Sequence, residues 1–103
     1  MQNELVADTL QKLNRMALEQ IREHNYHQAL NFFQQSLYLE ESLGLKAAMA
    51  QSFYNLASTY ILLEEYQEAQ KKIKFAKTLF KEIDSMKDYE KALDIEMQLL
   101  DFI

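Results

Sequence analysis

The sequence predicts an all-α chain built from helical hairpins, and three observations carry that prediction. Proline is absent and glycine occurs once, at Gly44, so helices can run uninterrupted and β-hairpin turns lack their usual residues. Apolar side chains recur at steps of three and four, the spacing of one helix face. The chain also resembles itself when shifted by 40 residues, which pairs Gln11 with Gln51, Ala17 with Ala57, Ile21 with Ile61, Tyr26 with Tyr66, Ala29 with Ala69 and Leu39 with Leu79.

Five helices follow, over residues 3–23, 26–43, 46–63, 66–83 and 86–102. The first places Leu5, Val6, Leu10, Leu13, Met16, Ala17 and Ile21 on one half of its circumference and Glu4, Asp8, Gln11, Lys12, Arg15 and Glu19 on the other. That polar side suits the N-terminal edge of a stack. Asn25 and Gln28 have the spacing of a capping box at the start of the second helix, which carries Tyr26, Ala29, Phe33 and Ser36. Gly44 supplies the left-handed residue that ends it. The third helix carries Phe53, Leu56, Ala57 and Tyr60, and the fourth Tyr66, Ala69, Ile73 and Ala76. Small residues at Ala17 and Ala29, and again at Ala57 and Ala69, let the paired helices approach closely. Ser85 and Asp88 form a second capping-box pattern before the fifth helix. This last helix has two apolar stripes, Met86, Tyr89, Leu93, Met97 and Leu100, and Ala92, Ile95, Leu99 and Phe102. Its apolar arc is wider than one packing face needs, which leaves three readings open. The helix folds into the groove and buries both stripes, or self-associates through Ala92, Ile95, Leu99 and Phe102 into a homodimer, or takes up a helix of another protein.

A length of 103 residues fits a single domain over 1–103, and 49% apolar with 12% aromatic residues is too rich for a disordered segment. Cysteine is absent, which removes disulfides, thiolate nucleophiles and cysteine-ligated metals. Met1 to Leu10 carry Glu4 and Asp8 and no basic residue, unlike a targeting segment. The longest apolar stretches, such as Tyr60 to Leu63, fall far short of the ~20 residues that span a bilayer. The expectation is a cytoplasmic protein with no membrane partner, and Met1 with the polar first helix points to a natural start.

The net charge of −5 is uneven, with Lys71, Lys72, Lys74, Lys77 and Lys81 forming an acid-free island. Lys74, Lys77 and Lys81 share a face, but no aromatic platform or base-reading motif accompanies them, so a solvated face is expected and no nucleic acid. His24 and His27, with Glu23 nearby, read as turn-exposed groups that do not converge on a metal. The neighbours Glu40–Glu41 and Glu64–Glu65 lie on different helix faces and read as solvated helix ends, not catalytic dyads. No phosphate-cradling glycine loop or activated nucleophile is present, so neither an enzyme nor a cofactor is expected.

Phe53-Tyr54-Asn55-Leu56-Ala57, then Tyr60, Tyr66, Ala69 and Ala76, resemble the tetratricopeptide repeat pattern of bulky, small and aromatic positions. Residues 10–39 follow it with Met16, Gln20 and Ser36 as departures. The repeats are then about 10–43 and 50–83, with a closing helix at about 86–102. The period of 40 exceeds the usual ~34, His24 and Glu64 stand where a glycine is usual, and the extra residues fall between Ser36 and Phe53. The resemblance implies a right-handed, TPR-like helical-hairpin solenoid of two pairs plus a closing helix. It also implies a concave groove lined by Asn14, Arg15, Leu18 and Arg22 in the first copy and Gln51, Tyr54, Asn55, Ser58 and Leu62 in the second. These side chains suit a peptide: amides for its backbone, arginines for a carboxylate, Tyr54 and Leu62 for apolar contact. Asn14 replaces the lysine of the family's carboxylate clamp, so a chaperone C-terminus is not the expected ligand. The function implied is an adaptor or scaffold that binds a peptide or helix of another protein, with structural self-assembly as the alternative.

Overall fold

The computed structural model describes residues 2–103, with side chains from Glu4 onward. Five helices, α1 (Gln2–Arg22), α2 (Tyr26–Leu43), α3 (Lys46–Leu62), α4 (Tyr66–Glu82) and α5 (Met86–Leu99), are followed by a 3-10 turn at Leu100–Phe102. Each helix packs chiefly on its neighbours in sequence. The resulting helical-hairpin solenoid measures 47 × 34 × 19 Å, its thinnest dimension being that of two helix layers at roughly 10 Å each. Among the described residues no helix is long and apolar enough to cross a membrane.

The turns reveal a finer period than the 40-residue repeat. His24, Gly44, Glu64 and Asp84 all adopt left-handed backbone, with φ of 62°, 67°, 59° and 57°. Each is spaced from the next by one helix plus its turn. At every turn the following residue's N–H reaches back to the last helical turn: Asn25 to Gln20 O at 2.8 Å, Leu45 to Glu40 O at 3.0 Å, Glu65 to Tyr60 O at 2.9 Å and Ser85 to Phe80 O at 2.8 Å. The left-handed residues bond to Ile21, Glu41, Ile61 and Lys81 carbonyls, completing a Schellman motif four times over. Backbone alone closes these turns, which is why four different residue types serve.

Neither capping box forms. Asn25, Leu45, Glu65 and Ser85 sit at φ near −90° with ψ between 69° and 81°, and none makes a side-chain cap bond. The tight turn holds these residues away from the extended conformation in which a cap side chain reaches the first free N–H groups. Asn25 Nδ2 instead donates to Gln20 Oε1, and Ser85 Oγ donates to the Asp88 carboxylate at 2.6 Å.

Ala17, Ala29, Ala50, Ala57, Ala69, Ala76 and Ala92 are fully buried, so backbones meet closely along the stack, and Leu56 and Ile73 fill the space between. The helix α3 has packed neighbours on both sides and buries residues around most of its circumference. The first helix packs chiefly on one neighbour, α2. Of its expected apolar side only Ala17 is fully buried; Leu5 and Met16 are exposed, and Val6, Leu10, Leu13 and Ile21 are half-buried.

The fifth helix bears on the three readings left open for its two stripes. It extends the stack on α4 and buries Ala92 and Leu99, the latter 2% exposed, with Ile95 half-buried beside the core. The stripe offered for self-association under one of those readings is largely used inside the monomer. Phe102 stays exposed but stacks on Tyr66 with ring centroids 4.4 Å apart. The other stripe supplies the free apolar surface, at Met86, Met97 and Leu100. Lys77 donates to Glu96 at 2.6 Å across α4 and α5, which removes it from the solvated lysine face expected with Lys74 and Lys81.

Candidate functional site

Three depressions follow one another across α1, α3 and α5. The first, about 490 Å³, runs along α1 between Gln11, Asn14, Arg15, Leu18, Ile21 and Arg22. Gln11 and Asn14 also border the second, about 230 Å³, which is closed by Leu10, by Ser36 and Glu40 of α2, and by Ala48, Gln51, Ser52 and Asn55 of α3. Gln51 in turn borders the third, about 80 Å³, with Tyr54, Phe80, Asp88 and Lys91. Shared residues make the three a continuous track.

Seven of the nine groove residues expected from sequence line this track. Asn14, Arg15, Leu18 and Arg22 do so on α1, and Gln51, Tyr54 and Asn55 on α3; Ser58 is half-buried and Leu62 exposed, and neither borders these three depressions. One helical turn separates Gln51 from Asn55, so their amides meet, Gln51 Nε2 donating to Asn55 Oδ1 at 3.1 Å. Tyr54 leans edge-on against Phe80. Arg15 and Arg22 make no ion pair among the described residues, and their guanidinium groups are exposed on the α1 end of the track.

The middle pocket holds what the sequence reading missed. Glu40 is no solvated helix end: it is 6% exposed and accepts a hydrogen bond from Ser52 Oγ at 2.6 Å, across the junction of α2 with α3. Burial, offset in part by that bond and reinforced by the charge of Glu41, raises its carboxyl from 4.5 to about 6. Ser36, 3% exposed on the turn before it, has a buried Oγ with no hydrogen-bond partner. A signal for both was present in the repeat. The 40-residue shift sets Ser36 against Ala76, Glu40 against Phe80 and Ser52 against Ala92, so three polar groups occupy positions that are apolar and buried forty residues on.

Elsewhere, His24 Nδ1 lies 2.7 Å from the Tyr26 hydroxyl at the first turn, and His27 is exposed. Comparison with known proteins finds no matching family model and no matching curated sequence.

Proposed function

We propose that the chain is a cytoplasmic, tetratricopeptide-type adaptor or scaffold, a binding part and not an enzyme, that holds a peptide or helix of another protein in its concave groove. The observation that carries this reading is the continuity of the three depressions through Gln11, Asn14 and Gln51. Together they offer an extended ligand two arginines, a row of amides and an aromatic edge, the mixture that fixes a peptide backbone while reading a few side chains. Affinity capture with the wild type beside Arg15→Glu and Tyr54→Ala tests it. Both substitutions alter exposed or half-buried groove positions, so a groove ligand is lost from both while the fold survives. Retention of the same ligand by both variants would refute the groove as its site.

A second reading has its own support. Met97 is 60% exposed and Leu100 equally so, and with Met86 they leave an apolar face on α5 without a neighbour. The 40-residue shift sets Met97 and Leu100 against Ala57 and Tyr60, both of which are buried. A homodimer through this outer face is the alternative function, and sedimentation equilibrium of the wild type against Leu100→Lys distinguishes it.

A further inference from the structure

We propose that the pocket over Glu40 receives a basic side chain, lysine or arginine, of the protein that the groove binds; the inference rests on the groove reading above. Nine residues line that pocket, and Glu40 alone among them is ionisable. The carboxylate is withdrawn from water, and its surroundings from α1 and α3 are amides, a hydroxyl and apolar groups. One oxygen, Oε1, accepts from Ser52. A single hydroxyl donor is weak compensation for a buried charge, and the raised carboxyl shows that burial outweighs it. No countercharge in the lining balances Glu40.

Two further features point to a guest with donors. Ser36 Oγ is buried without a partner at the same pocket, and native structures rarely leave such a group unpaired. The volume of about 230 Å³ equals several waters at about 30 Å³ each, which is room for the end of one long side chain. A neutral guest could satisfy Ser36 but would leave the carboxylate unbalanced, whereas an ammonium or guanidinium group satisfies both. Gln11 and Asn14 on one rim and Gln51 on the other then bond to the backbone on either side of the inserted residue.

Selection of random dodecapeptides on the folded protein tests the proposal. The expected result is enrichment of lysine or arginine at one fixed position, with binding of a selected peptide weakened about tenfold or more by Glu40→Gln, the scale of a lost bond to a charged group, and unchanged by the exposed neighbour Glu41→Gln. Replacing the enriched basic residue of the peptide by norleucine must weaken binding to the wild type equally, a readout that needs no change to the protein. Peptides that lose binding with Arg15→Glu or Tyr54→Ala, yet show no basic position and ignore Glu40→Gln, would overturn the pocket proposal and leave the groove standing. Failure to select any peptide sensitive to the groove variants would overturn both.

Discussion

Glu40→Gln should make the protein more stable near neutral pH and leave it nearly unchanged in acid. The carboxyl titrates near 4.5 when solvated and at about 6 in the fold. Between those values the folded state binds a proton that the unfolded state does not, so this group's contribution to stability falls as pH rises from 4.5 to 6 and is level above. At about 1.36 kcal/mol per pKa unit the gap corresponds to roughly 2 kcal/mol. Glutamine keeps the size and the oxygen that Ser52 bonds, but carries no charge to desolvate. Relative to wild type it should therefore gain up to about 2 kcal/mol at pH 7 and about nothing at pH 4, a melting difference on the order of 10 °C at neutral pH for a domain of this length. Urea unfolding of both proteins at pH 4 and pH 7 measures it, and the difference between them cancels the other acidic groups. An equal gap at both pH values, or a Glu40→Gln protein less stable at pH 7, would refute the reasoning.

The turns supply a second test: Glu64→Gly and Asp84→Gly, which relieve left-handed backbone at exposed sites, should each stabilise by about 0.5–1 kcal/mol in denaturant melts. Gly44→Ala should lose about 1 kcal/mol, because the added Cβ meets nothing within 4 Å and only the φ of 67° opposes it. The two copies should also differ in their tolerance of truncation. Leu56→Ala, at a fully buried position, should lose about 2–5 kcal/mol, whereas Met16→Ala, its mate in the repeat but 40% exposed, should lose under about 1 kcal/mol. If α5 forms a dimer, molar mass by sedimentation should rise with concentration for the wild type and not for Leu100→Lys; a monomer throughout removes that reading.

All five helices were legible because their starts depend on pattern and on the absence of breakers: the expected starts at 26, 46, 66 and 86 coincide with Tyr26, Lys46, Tyr66 and Met86. The 20-residue spacing of the turns was not, since a Schellman motif is made by backbone groups and leaves histidine, glycine, glutamate and aspartate in equivalent places. In α5 two stripes had equal claim on the core, and the direction from which α4 approaches decided between them. That choice follows α3: Ala92 and Leu99 match Ser52 and Thr59, which are buried as well. The nine groove positions came from the tetratricopeptide resemblance and not from register alone, and seven of them border the depressions. Glu40 escaped because two adjacent acids were weighed against each other; set against Phe80, forty residues on, the first of them occupies a core position.

Three polar residues at otherwise apolar repeat positions converge on one place. Ser36, Glu40 and Ser52 stand where Ala76, Phe80 and Ala92 stand forty residues on, and they meet at the junction of α2 with α3. An apolar trio there would give a drier, more stable junction, so the polar trio lowers stability beside the middle depression, a cost of the kind that function can impose. A ligand that neutralises Glu40 restores part of that loss, and by linkage its affinity appears as added stability. A selected basic peptide at a hundredfold excess over its Kd should accordingly stabilise the wild type by about 2.7 kcal/mol. The Glu40→Gln protein, more stable alone, should gain far less from the same peptide. Thermal melts of both proteins with and without peptide put the two effects on one scale, and equal gains would separate the buried acid from binding.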